Sequence, residues 1–167
     1  MTRSFRDDGF TLLETIVALG ILAVVAAGIL PLGIVATKAT ENQGHLMART
    51  TEYAQDKLEQ LMALSYGDSV TDTRVFPAAT SGGTGLTVGG SLNPNNPITG
   101  YADYLDIDGN VVTNDTWYYK RIWQISQPSG TTNLKEITVL TIVRQSAAGG
   151  AGRLPQATVT SLKTFPF

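Results

Sequence analysis

The reading of this chain turns on residues 9–36, GFTLLETIVALGILAVVAAGILPLGIVA. From Thr15 to Ala36 no residue carries a charge. A helical run of that length reaches across a hydrocarbon layer about 30 Å thick. Glu14, at the start of the run, is the exception. A carboxylate inside a membrane helix costs up to about 3 kcal/mol on insertion scales, and such groups usually come with a partner. An ordinary secretory signal would account for Arg3, Arg6 and the small pair Ala26-Ala27, but its apolar core spans only about 7–15 residues. A plain membrane anchor accounts for the length and leaves Glu14 uncompensated.

The rest of the composition narrows the classes. With 167 residues and a net charge of -2, the chain has room for one modest domain beside the apolar segment. Hydrophobic residues make up 43% and charged residues 16%, which argues against a disordered chain and against the basic face of a nucleic-acid binder. The absence of cysteine excludes disulfides, thiolate metal sites and a cysteine nucleophile. A single histidine, His45, lies in a polar helical stretch and reads as an exposed side chain. No nucleophile–base constellation is visible, so the sequence reads as non-enzymatic, without a small-molecule substrate.

Downstream of the apolar run, residues 37–66 are polar but keep helical periodicity. Ala54, Leu58, Leu61 and Ser65 share one face with Leu46, Thr50 and Met62 beside it, while Glu52, Asp56, Lys57, Glu59 and Gln60 lie mostly off that face. Gly67 is the expected helix cap. Nothing between Leu32 and Thr51 forces a break, so one helix from about Phe10 to Tyr66 is expected, on the order of 85 Å long at 1.5 Å per residue. Residues 67–100 read as a long irregular loop, with a short strand near Leu86-Thr87-Val88. Three β-type runs follow, at 117–125, 135–145 and 157–165, together with a hairpin over 101–112 that turns at Asp108-Gly109 or Gly109-Asn110. About four strands are expected.

Gly9-Phe10-Thr11-Leu12-Leu13-Glu14 and the apolar helix behind it resemble the class III signal of type IV pilins and pseudopilins. The resemblance implies a 1–9 leader peptide, removed between Gly9 and Phe10 by prepilin peptidase, and N-methylation of the new Phe10 amine. It implies a transmembrane and assembly helix over 10–36, an amphipathic continuation over 37–66 and a periplasmic β domain over 67–167 with a variable loop at 67–100. Glu14 becomes the fifth mature residue, where the family carries its acid, and Pro31 falls where many of these helices kink. Cleavage creates an amine one helical turn from Glu14, and an acid and an amine on neighbouring chains compensate each other strongly in lipid. Glu14 is therefore expected to serve assembly and registration. The leader departs from the family in being only weakly basic, because Asp7 and Asp8 offset Arg3 and Arg6.

The segment 54–61, the strand around Arg121-Ile122-Trp123 and the strand at 137–143 look like minor pilins of the pilus-modification group, and equally like minor pseudopilins of type II secretion. The implied fold is α+β, a long helix packed on a small antiparallel sheet. The implied partners are prepilin peptidase, other pilin or pseudopilin subunits and an inner-membrane assembly platform driven by a cytoplasmic ATPase. The implied location is the bacterial inner membrane in a single pass, N-terminus cytoplasmic and C-terminal domain periplasmic, then a cell-surface filament. A reading of a different class keeps the chain as a membrane-anchored periplasmic module that binds DNA or a polysaccharide.

Two other clusters carry candidate site residues. Asp103, Asp106, Asp108 and Asn110 surround Gly109, and some pseudopilins bind calcium through loop oxygens; Asp106 and Asp108 are the candidates. The spacing does not fit an EF-hand, and Asp and Asn favour turns in any case, so the expected cofactor is none. Trp117, Tyr118, Tyr119 and Trp123, with Lys120 and Arg121, form an aromatic and basic run that could stack bases. Core packing against the helix is the favoured reading, and nucleic acid is not expected.

Overall fold

The computed structural model describes residues 11–70, 83–113, 115–144 and 154–165. Among them lie one helix, α1 (Leu12–Ala63), and five strands: β1 (Gly89–Gly90), β2 (Ala102–Leu105), β3 (Tyr119–Ser126), β4 (Leu134–Val143) and β5 (Gln156–Thr164). The chain forms two compact units, Met1–Asn42 and Gln43–Phe167.

The described part of the first unit is the apolar half of α1. The Thr11 hydroxyl accepts the Glu14 amide at 3.3 Å, satisfying one of the free donors of the first turn. Pro31 lies inside the helix, where it lacks the amide that would reach the Ala27 carbonyl. The Thr37 and Thr40 hydroxyls bond back to the carbonyls of Gly33 and Ala36, an arrangement that bends helices. Its large side chains, from Leu12 through Val35, are exposed. The helix is long and apolar enough to cross a membrane, and none of its most apolar window is buried.

The second unit packs the rest of α1 on one face of an antiparallel sheet. The order is β1-β3-β4-β5, and β2 also pairs with β3. Gly89↔Ile125 and Ala102↔Ile122 place β1 and β2 in succession along the same edge of β3. Strand alternation sends Tyr119, Arg121, Trp123 and Ile125 to the helix side, opposite Val143, Thr141, Val139 and Ile137 of β4. They meet a helix stripe of Leu46, Thr50, Tyr53, Ala54, Lys57 and Leu61, with Leu64 just past the helix end, all buried. The core falls into two clusters, one around Leu61, Trp123 and Ile137 and a smaller one around Leu46, Tyr53 and Tyr119. The long apolar helix and small antiparallel sheet make this an α+β pilin fold.

Several local expectations need correction. Ser65 is exposed and Leu64 is buried instead: the helix stops at Ala63, and Leu64, whose amide bonds the Leu61 carbonyl, closes the buried stripe in place of Ser65. Gly67 does not take the left-handed cap conformation. The helix end is satisfied from elsewhere, where the Lys163 ammonium donates to the Met62 carbonyl; just beyond it the Asp68 carboxylate accepts the Ser65 amide at 2.8 Å and holds the turn. Lys135 donates to the carbonyls of Tyr66 and Leu86, fastening the loop that follows. The short strand expected at 86–88 lies at Gly89–Gly90, where a Cβ on Gly90 would meet the Trp123 carbonyl at 2.2 Å. Leu86 is instead a buried core residue. The expected hairpin over 101–112 keeps one full arm, β2, while its return is a single bridge between Leu105 and Val111.

Candidate functional site: the N-terminal signal and a buried ion triad

Gly9 and Phe10, the residues expected at the cleavage site, lie outside the described residues. Glu14 is described. It occupies the first turn of α1, exposed, and among the described residues its carboxylate meets no donor. Acids are favoured at this end of a helix by the aligned peptide dipoles. The 22 uncharged residues expected behind it form unbroken helix with their side chains exposed. The first unit therefore presents an acid at the start of a long, unsatisfied apolar surface.

The second unit holds a charged cluster that the sequence periodicity hides. Asp103 of β2 accepts two bonds from Arg121 of β3, Nε to Oδ1 and Nη2 to Oδ2, each at 2.7 Å. Lys57 of α1 donates to Asp103 Oδ2 at 2.8 Å. Arg121 is 0% exposed and Lys57 is 1% exposed. The Lys57 ammonium also sits 4.2 Å from the centre of the Trp123 ring, a cation–π contact in a desolvated place. Lys57 and Gln60, placed by the sequence mostly off the apolar face, are both buried.

The electrostatics follow from two cations sharing one anion. Burial pushes the Asp103 carboxyl up, but the Arg121 guanidinium and the Lys57 ammonium outweigh it and hold Asp103 below its ordinary range. Burial pushes Lys57 down; Asp103 opposes this, and the nearby Arg121 adds to it. Arg121 Nη1, Trp123 Nε1 and the Thr141 hydroxyl find no hydrogen-bond partner around this cluster. The triad contains no activated nucleophile. It ties α1, β2 and β3 together and fixes their register.

The other candidate residues separate. Asp103 turns inward to the triad rather than joining Asp106 and Asp108. Asp106 accepts the amides of Asp108 and Asn110 at 2.9 and 2.8 Å, and the Asn110 side-chain amide at 3.0 Å. The Asn110 hydrogen bond leads in holding its carboxyl below the usual range. Among the described residues no three His, Cys, Asp or Glu side chains gather as a metal site. Gly109, at φ 90, lets this turn approach Tyr53, whose hydroxyl would lie 2.8 Å from a Cβ there. In the aromatic run Tyr119 and Trp123 are buried core, and burial leads in raising Tyr119 to about 12. Trp117 is half-buried on the other face, with Lys120 4.7 Å and Arg144 5.6 Å from its ring centre. His45 is exposed, as expected.

Residues 5–30 match the prokaryotic N-terminal methylation motif. The chain is type IV pilin-like. Its signal is that of a prepilin peptidase substrate, and the match covers Gly9, Phe10 and Glu14 and ends just before Pro31. No curated protein and no solved structure matches the chain. Processing by prepilin peptidase and assembly with other pilins are what this signal implies for the pilin-like chain, and α1, the one such apolar helix among the described residues, fits a single-pass inner-membrane anchor. Proteins with this motif are structural rather than catalytic.

Proposed function

We propose that the chain is a minor structural subunit of a type IV pilus or a type II secretion pseudopilus. In this reading it is cleaved after Gly9, methylated on Phe10, held in the inner membrane by α1, and then drawn by an assembly platform into a filament or its tip complex. The observation that supports it most is the methylation motif running directly into an exposed apolar helix. Neither a lipid anchor nor a soluble domain needs an acid at Glu14, whereas a bundle of processed helices gives it a partner in each neighbour's Phe10 amine. The resemblance of 54–61 and of β3 and β4 to the pilus-modification group favours the minor role.

The competing reading, an unassembled module that binds DNA or a polysaccharide, loses support at its basic residues. Arg121 is buried in the triad, and Lys120 donates to the Pro94 carbonyl at 3.0 Å. Shearing cells and quantifying the subunits released tests the proposal. The chain should appear in the sheared filaments as a small fraction of the subunits. Its complete retention with the cells would favour the anchored module, and its dominance of the filament would make it the major subunit.

A further inference from the structure

We propose that Thr11 is a positioning residue for cleavage: by capping α1 it keeps the Gly9–Phe10 bond out of the helix, so that prepilin peptidase meets that bond as extended chain. The inference rests on the processing reading above and goes beyond it by naming what presents the bond. Hydrolysis adds water across this amide and leaves the Gly9 carboxylate and the Phe10 amine. The Gly9 carbonyl must therefore be open to attack, and a carbonyl inside a helix is already bonded four residues ahead.

The first bonds of α1 show how its start is set. The Thr15 amide donates to the Thr11 carbonyl at 3.2 Å, as a helical i→i−4 bond does. The Glu14 amide donates to the Thr11 hydroxyl at 3.3 Å. A residue whose carbonyl accepts a helix's first bond, while its side chain takes the amide three residues on, is an N-cap. A helix continued back through the scissile bond needs the same donors. The Leu13 amide would go to the Gly9 carbonyl, and the Glu14 amide to the Phe10 carbonyl. The Thr11 hydroxyl and the Phe10 carbonyl thus compete for one N–H, and the hydroxyl holds it.

Thr11-Leu12-Leu13-Glu14 has the spacing of a capping box. Glu14 contributes its amide, and its carboxylate stays available to a neighbour. The sequence also holds a rival cap. Aspartate ranks above threonine as an N-cap, and a helix started at Asp8 would take Gly9 and Phe10 as its first two residues. Gly9, a poor helix former, opposes that start, and the Thr11 cap opposes it again. The acid that weakens the leader's positive charge is therefore the one Thr11 has to outcompete.

Cleavage of the full precursor in detergent by purified prepilin peptidase tests the proposal. Thr11→Ala removes the cap oxygen and should slow cleavage about fivefold, the population shift set by one lost cap. Thr11→Ser and Thr11→Asn both cap a helix, and both should be cut at the wild-type rate. Adding Asp8→Ala to Thr11→Ala removes the rival cap and should restore most of the rate. Backbone carbon chemical shifts of Phe10 should turn helical in Thr11→Ala and return in the double variant. A Thr11→Ala chain cut as fast as wild type overturns the proposal, as does failure of Asp8→Ala to restore a slowed one. A Thr11→Asn chain as slow as Thr11→Ala also overturns it, and would make the threonine a direct peptidase contact. A wild-type chain left uncut brings down the processing reading and this proposal with it, whereas slow variants beside a well-cut wild type bear on the cap alone.

Discussion

Lys57 Nζ lies 2.8 Å from Asp103 Oδ2, across 46 residues of chain, and joins α1 to the sheet inside the core. Arg121 holds both oxygens of the same carboxylate. Removing the anion alone strands two buried cations. Asp103→Asn should therefore destabilise the globular domain by about 3–5 kcal/mol in chemical denaturation. Replacing all three with apolar residues of similar volume, Lys57→Met, Asp103→Leu and Arg121→Met, should be nearly neutral or stabilising. A triple variant as unstable as Asp103→Asn would show that the triad contributes more than mutual charge compensation.

The same carboxylate sets an acid limit on stability. Asp103 is held below its ordinary value of 3.8 in the folded state. A depressed folded pKa contributes stability that is present above the unfolded value and is lost as pH falls through the folded one. Unfolding free energy should therefore decline as pH drops below about 3.8, the unfolded value. The apolar triple variant should lack that part of the decline, which acid titration of denaturant midpoints measures.

Gly109 combines a φ of 90 with the Tyr53 hydroxyl 2.8 Å from where its Cβ would stand. Gly109→Ala should cost about 1–3 kcal/mol, through backbone strain and displacement of the turn from α1. Thermal melting of the variant reads the loss, and an unchanged melting temperature would mean the turn does not dock as described.

Calcium should leave that melting temperature unchanged. The Asp106 oxygens already accept three hydrogen bonds within the turn, and Asp103 is committed to the triad. A calcium-dependent rise abolished by Asp108→Asn would instead make the turn a cation site.

The long-range plan of this fold was legible because its signals are long. Twenty-two uncharged residues, three β-type runs and the turn chemistry between them specify a helix and a sheet with little help from tertiary contacts. The triad was hidden by its own charge. Lys57 falls between Ala54 and Leu61 on the buried stripe, and a lysine there reads as solvent-facing unless its partners are known. The available clue was parity: Asp103 shares its strand face with Leu105, and Arg121 shares its face with Tyr119 and Trp123. The helix end was missed for a different reason. Gly67 looked like a local cap, but the carbonyl of Met62 is satisfied by Lys163, 101 residues away. Nothing local encodes such a contact.

Glu14 separates processing from assembly. Glu14→Ala leaves Gly9 and Phe10 intact and removes the proposed partner of the neighbouring Phe10 amine. The variant should be cleaved and membrane-inserted but lost from sheared filaments. Wild-type incorporation would show that Glu14 does not register subunits.

The most direct measurement is the N-terminus of the chain recovered from cells, read by sequencing and mass spectrometry. The account requires it to begin at Phe10 with a methylated amine. An intact leader through Gly9, or cleavage near Ala26-Ala27, would contradict it.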